Sequence, residues 1–172
     1  MKRPRLLTLL LILWATAAPR AEIIDRIMAV VGGQPITLSD VNAALLFRLV
    51  EPPPGTADPL AHTLDRLIDR SLVLGEVDRF QPPEPAPVEI DLRITELQQR
   101  SGSPEAFARS LMVTGLSREQ LQRRIHDDLR ITTYLNQRFG TNVDAAERAT
   151  AIARWTTEIR RRADVIVQYQ AR

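Results

Sequence analysis

Residues 23–40, IIDRIMAVVGGQPITLSD, set the fold once they are matched with the last strand-like stretch, DVIVQY at residues 164–169. The opening nine residues are rich in β-branched side chains. Strict alternation puts Ile27, Ala29 and Val31 on one face and Ile24, Met28 and Val30 on the other, interrupted by Arg26. Gly32-Gly33 supplies positive φ for a tight hairpin turn, and Gln34-Pro35-Ile36-Thr37 begins the return. Pro35 cannot donate to a ladder, so the return strand is expected at an edge. A helix follows, capped by Ser39 or Thr37 with Asp40 in its first turn. A lone C-terminal strand needs a partner, and the only other strand material is this hairpin. The two ends of the chain are therefore expected to meet in one small sheet.

Between them the period is helical. Val41, Ala44, Leu45 and Leu49 give the first helix its apolar stripe, up to Glu51-Pro52-Pro53-Pro54-Gly55. A second helix, from about Leu60 to Phe80, carries Leu60, Leu64, Leu67, Ile68, Leu72 and Gly75. Residues 88–100 follow, with Ile90, Ile94 and Leu97, and then a short helix begins at Ser103-Pro104-Glu105 with Phe107, Leu111 and Met112. Gly115 closes that one. Ser117 caps the next, with Gln120 completing a capping box, and Leu121, Ile125, Leu129, Thr132, Leu135 and Phe139 form a stripe through 118–139. After Gly140-Thr141-Asn142 a last helix, about 144–162, presents Ala149, Ile152, Trp155 and Ile159. Eight of the 12 prolines fall in the two linkers flanking the second helix, which makes those linkers stiff. The fold class expected is mainly α: about six helices, with a small antiparallel sheet formed by the N-terminal hairpin and the C-terminal strand.

Residues 1–21, MKRPRLLTLLLILWATAAPRA, read as a secretory signal peptide, with cleavage after Ala17 or Ala21. Their uncharged run, Leu6 to Pro19, spans about 21 Å as a helix, short of the roughly 30 Å hydrocarbon layer, so no stable membrane anchor is expected. Without cysteine the chain has no disulfide framework, no thiolate zinc site and no lipidated N-terminal Cys. The basic balance is confined to this leader. Removing Lys2, Arg3, Arg5 and Arg20 leaves 19 arginines against 21 acids over residues 22–172, with no excess positive field for nucleic acid.

Catalytic chemistry has little to start from. His126-Asp127-Asp128 are three consecutive helical residues about 100° apart, which cannot converge on one ion, so they read as a polar helix face. His62 lies in a first turn with nothing nearby in sequence to orient it. There is no G-x-S-x-G, and Gly32-Gly33 lacks the rest of a phosphate loop. Arg160-Arg161-Arg162 fall in a last helical turn, where cations offset the dipole; contact with anionic headgroups or an acidic client is the alternative. No enzyme activity, metal or cofactor is expected.

In order and spacing, DRIMAVVGGQPITLSDV (25–41), RLIDRSLVLGEVDRF (66–80), FARSLMVTGLSREQLQRRIHDDLRI (107–131) and ARWTTEIRRRADVIVQ (153–168) resemble the chaperone domain of the SurA-type periplasmic folding factors. That resemblance implies a C-terminal segment packed back onto the N-terminal hairpin. SurA-type chains usually insert one or two parvulin prolyl-isomerase domains before the closing helix, whereas here only Gly140 to Val143 stands in that place. What it implies is a minimal chaperone domain over residues 22–172, with an N-terminal part at 22–139 and a closing helix and strand at 144–170, and without an isomerase. The implied location is the periplasm. The implied partners are unfolded exported proteins, outer-membrane β-barrel precursors above all.

Surplus hydrophobes admit two readings, core packing as the default and a groove for unfolded chain as the functional alternative. Leu45 to Val50 place apolar groups around most of a helix, Leu111-Met112-Val113 do so on a shorter one, and Tyr134 stands off the main stripe. Such a surplus means deep burial or an exposed binding patch. Leu46, Phe47, Val50, Met112, Val113 and Tyr134 are the candidate groove residues for unfolded chain. The alternative is a non-catalytic assembly subunit that binds one folded partner or itself as a homodimer, by a helix in a groove or a swapped strand.

Overall fold

Gly32 and Gly33 both take positive φ, 55° and 81°, and reverse the chain in the two-residue turn that suits twisted antiparallel strands. The computed structural model describes residues 25–170; the leader at 1–21 and Ile23-Ile24 lie outside the described residues. Among the described residues the chain is mainly α, with six helices and one three-stranded antiparallel sheet. β1 (Ile27–Val31) pairs with β2 (Gln34–Thr37) on one side and with β3 (Val165–Val167) on the other. The ends of the chain thus meet, in the register Ala29↔Val167, Val30↔Ile166 and Val31↔Val165.

Pro35 stands opposite Val30 on the outer strand. The Gly32 N–H donates to Asp164 O and the Gln168 N–H to Met28 O, so the even-numbered residues of β1 turn their backbone groups toward β3. Pro35 therefore needs no ladder donor.

Strict alternation fails at one place in β1. The register passes from Ile27↔Thr37 to Ala29↔Ile36, leaving two residues of β1 against one of β2. This bulge turns Met28 inward beside Ala29, both with 0% exposure, and leaves Ile27 41% exposed.

α1 (Leu38–Leu46) is capped by Thr37 rather than Ser39: the Asp40 N–H donates to Thr37 Oγ1 at 3.3 Å and the Thr37 N–H to Asp40 Oδ2 at 3.0 Å. The Ser39 N–H instead donates to Asp25 Oδ1 at 3.2 Å. Partial burial opposes ionisation of Asp25, but the Thr37 and Ser39 hydrogen bonds outweigh it and hold the carboxyl below its ordinary range. A depressed native pKa stabilises the fold above the unfolded value, and that contribution fades as pH falls through the native one. Asp25→Asn should therefore be less stable than the parent at pH 7, with the gap closing in urea melts as pH falls below the ordinary carboxylate range. A gap that persists in acid would show that Asp25 acts by shape and not charge.

α1 ends at Leu46, several residues short of the helix expected to run up to Glu51. Arg48 adopts φ +50°, and the Leu49 N–H donates back to Ala44 O at 2.8 Å, a Schellman-type close. The reversal sends Phe47 into one core and returns Leu49 and Val50 toward another.

α2 (Pro59–Phe80), α3 (Pro87–Arg100) and α4 (Pro104–Thr114) each begin on a proline, where a missing N–H costs nothing. α2 closes on Gln81 at φ +50°. Gln81→Gly should relieve about 1 kcal/mol of left-handed strain and raise the melting temperature by about 2 °C, net of glycine's extra unfolded-state freedom. A lower melting temperature would mean that the Gln81 side chain contributes more than its backbone costs. α5 (Arg118–Phe139) and α6 (Ala145–Arg162) complete the set.

Three apolar clusters result. Met28, Ala29, Val41, Leu64 and Ile68 join the sheet to α1 and the first half of α2. Phe47, Ile94, Leu97, Phe107, Leu121 and Ile125 join the end of α1 to α3, α4 and the first half of α5. Val73, Val77, Tyr134 and Trp155 join the second halves of α2 and α5 to α6. Because α2 and α5 change partners midway, their buried stripes rotate. Gly75 and Thr132, expected inside, are exposed, while Val73, Val77 and Tyr134 are buried.

Candidate functional site

α6 lies against α2 and α5, fixed at its middle by aromatic packing. Trp155 sits 5.9 Å from Tyr134 and 5.6 Å from Phe139 between ring centroids, and Phe80 closes on Tyr134 at 5.2 Å. The Arg138 guanidinium lies 5.0 Å over the Trp155 ring. Polar contacts hold the two ends of the helix. Arg148 donates to Gly140 O at 2.8 Å and to Asn136 Oδ1 at 2.9 Å, which fixes the short α5–α6 connector. Arg160 reaches across to α2, 2.6 Å from Asp65 and 3.1 Å from Asp69.

That last clasp is uneven. Burial, aided by the neighbouring Asp65 carboxylate, pushes the Asp69 carboxyl up even though Arg160 pulls the other way. Arg160 in turn is held more firmly protonated, first by its hydrogen bond to Asp65, despite its own partial burial. Asp65 is the closer partner, and its hydrogen bond contributes most to holding Arg160 protonated. Arg160 stands in the last turn of α6, where a cation offsets the helix dipole, and from there it also forms an interhelical clasp.

Open troughs run along both flanks of α6. One, of about 790 Å³, lies toward the sheet and is floored by Leu72, Leu74, Trp155 and Ile159. The other, of about 730 Å³, is floored by Val73, Ile131, Leu135 and Ile152. Both have charged rims and apolar floors.

The six candidate groove residues do not form one surface. Phe47 and Tyr134, each 4% exposed, are core: Phe47 stacks edge-on against Phe107 at 5.8 Å, and Tyr134 belongs to the cluster under α6. Val50 is half-buried against the sheet cluster. Leu46, Met112 and Val113 are exposed, the last two at 79% and 81%. α4 is anchored from its other side by Phe107 and Thr114, which leaves Met112 and Val113 standing out. Sequence reading passed over Phe80, Val88 and Leu92, all exposed. The signal for two of them was present: Val88 and Leu92 are four apart, on the face of α3 opposite Ile90, Ile94 and Leu97.

The charged residues on α5 serve as braces. Asp127 and Asp128 do converge, on the Arg70 guanidinium of α2, at 3.9 and 2.6 Å. His126 Nε2 lies 2.7 Å from Glu84 in the proline-rich linker, and Arg130 reaches Asp78 at 2.8 Å. Arg124 lies 3.8 Å from Asp40, with burial making its guanidinium easier to deprotonate than usual. Among the described residues, no three of His, Cys, Asp or Glu gather in a way that could hold a metal ion, and no helix is long and apolar enough to cross a membrane. No protein-family model matches the chain, and no curated protein matches it.

Proposed function

We propose that this protein is an ATP-independent holding chaperone of the periplasm, binding unfolded segments of outer-membrane proteins on exposed apolar surface. The observation that carries this reading is the Met112–Val113 pair, adjacent and about four-fifths exposed on a helix whose other side is fully engaged. Methionine suits varied clients because its flexible, polarisable side chain adapts to whatever it meets. Leu46, Phe80, Val88 and Leu92 are further exposed apolar side chains on α1, α2 and α3, and the troughs beside α6 offer room for extended chain. The resemblance to SurA-type chaperones supports the same reading.

The mechanism is mass action. Binding lowers the free concentration of aggregation-prone chain, with modest affinity because each client loses conformational freedom on binding. Catalysis has no part in it.

One feature of the sheet favours a second reading, an assembly subunit that binds one folded partner or a second copy. β3 bonds β1 through its even-numbered residues, so Val165 and Val167 direct their backbone groups outward, and among the described residues no strand pairs with that edge.

The test is aggregation of a urea-diluted outer-membrane β-barrel protein, with prolyl-isomerase activity assayed on the same sample. Suppression at modest molar excess without accelerated isomerisation is expected. Absence of suppression would reject the chaperone and favour the subunit.

A further inference from the structure

α3 and α5 pack side by side below the turn that ends α1, and a cleft of about 200 Å³ opens where the three meet. Its floor is apolar, made of Leu49, Leu97, Ile125 and Leu129. Its wall is basic. Arg48 comes from the turn, while Arg93 and Arg100 stand two turns apart on one face of α3.

Not all of these charges are free. Arg93 is paired with Glu96 at 2.5 Å, and Asp128, the other acid at the cleft, is paired with Arg70 at 2.6 Å. The guanidinium groups of Arg48 and Arg100 hold no hydrogen bond or ion pair among the described residues, not even with the carbonyls that end their own helices. Both also border an adjoining polar hollow of about 660 Å³, together with Leu49 and Glu51. Among the described residues, Arg48 and Arg100 thus remain as two guanidinium groups without an ion-pair partner, beside one carboxylate in the same condition, Glu51, and an anion seated at the arginines would complement them. The Arg48 backbone, at φ +50°, sits where glycine would be at ease, so backbone preference does not account for the arginine.

We propose that this cleft binds the C-terminal carboxylate of an extended polypeptide whose last residue is apolar. The volume admits about one large side chain and is well below the roughly 300 Å³ at which pockets for drug-sized ligands begin. The apolar floor would face that side chain, and Arg48 and Arg100 would hold the carboxylate, alone or as a fork. The polar hollow beyond would take the preceding peptide backbone. A long fatty acid shares the headgroup chemistry but needs an apolar tunnel, and the floor here is four residues long. A phosphate gains nothing from that floor. A chain that failed to hold unfolded protein would still carry this cleft.

The experiment titrates the purified protein with acetyl-Gly-Ser-Gly-Phe as the free acid, as the C-terminal amide, and with octanoate, following amide shifts by NMR. The free acid should bind, and the amide should bind about tenfold more weakly, the cost of one charge-assisted contact. Arg48→Gln and Arg100→Gln should each weaken the acid several-fold and leave the amide unchanged, while Glu51→Gln should tighten the acid. All three positions are at the surface, and unchanged thermal melts would show that the variants are folded. Equal binding of acid and amide, no binding of either, or binding of octanoate in place of the peptide would overturn the assignment.

Discussion

Deleting residues 164–172 should lower the melting temperature by about 12 °C. The deletion removes β3, whose partner β1 is the centre of the sheet, and it removes the packing of Val165 and Tyr169 on the sheet cluster. It also removes the Tyr169 hydroxyl that donates to Asp58 Oδ2, at 3.0 Å, and so ties the C-terminus to the cap of α2. Half-burial of two large side chains contributes about 2 kcal/mol and the hydrogen bonds about as much again. A loss of about 4 kcal/mol corresponds to roughly 12 °C in a chain of this size. A truncated protein melting within about 2 °C of the parent would mean that the terminal pairing contributes little to stability.

Trp155→Ala should be comparably severe. Trp155 is the one α6 side chain of its cluster that is buried, and Tyr134, Phe139 and Arg138 are arranged around it. Large-to-small substitution of a buried tryptophan costs about 3–5 kcal/mol, and the unfolding midpoint should fall by about 10–15 °C. The near-ultraviolet circular dichroism of the aromatic group should collapse with it. The Arg160 ion pairs and the Arg148 hydrogen bonds would remain, but partly solvated polar contacts contribute about 1 kcal/mol or less each and cannot replace the ring. A loss below about 1 kcal/mol would mean that α6 is held mainly by its ends.

Both predictions rest on contacts far apart in sequence, and that distance marks what could be read from the chain. Local rules were enough for the glycine turn, the edge position of Pro35, the Ser117–Gln120 capping box and the bounds of α2 to α6 within a few residues. The meeting of the two ends followed from a simple need: an orphan strand requires a partner. What failed was whatever the local pattern does not carry. The bulge at Met28 is a matter of register, which no single strand reveals. The early end of α1 depends on Arg48 accepting a left-handed backbone, which a helical stripe gives no reason to expect. The stripes of α2 and α5 were drawn straight, yet each helix changes partners midway, and so Tyr134 looked surplus when it was core.

The same limit shaped the site. Surplus hydrophobes on a helix can be counted from sequence, but the side that is covered depends on where α4 and α6 dock. Phe47 meets Phe107 and is buried; Met112, five residues beyond Phe107, is largely exposed. Val88 and Leu92 were overlooked because the opposite face of α3 carried the stronger stripe.

In the proposed chaperone, exposed apolar side chains would carry the activity. The most direct measurement compares the parent with the double variant Met112→Ser, Val113→Ser in suppressing aggregation of an unfolded outer-membrane barrel protein. Both side chains are exposed, so the variant should keep the parent's melting temperature within about 2 °C. It should lose at least half of the suppression at equal concentration. A folded variant that suppresses aggregation as well as the parent would contradict the account.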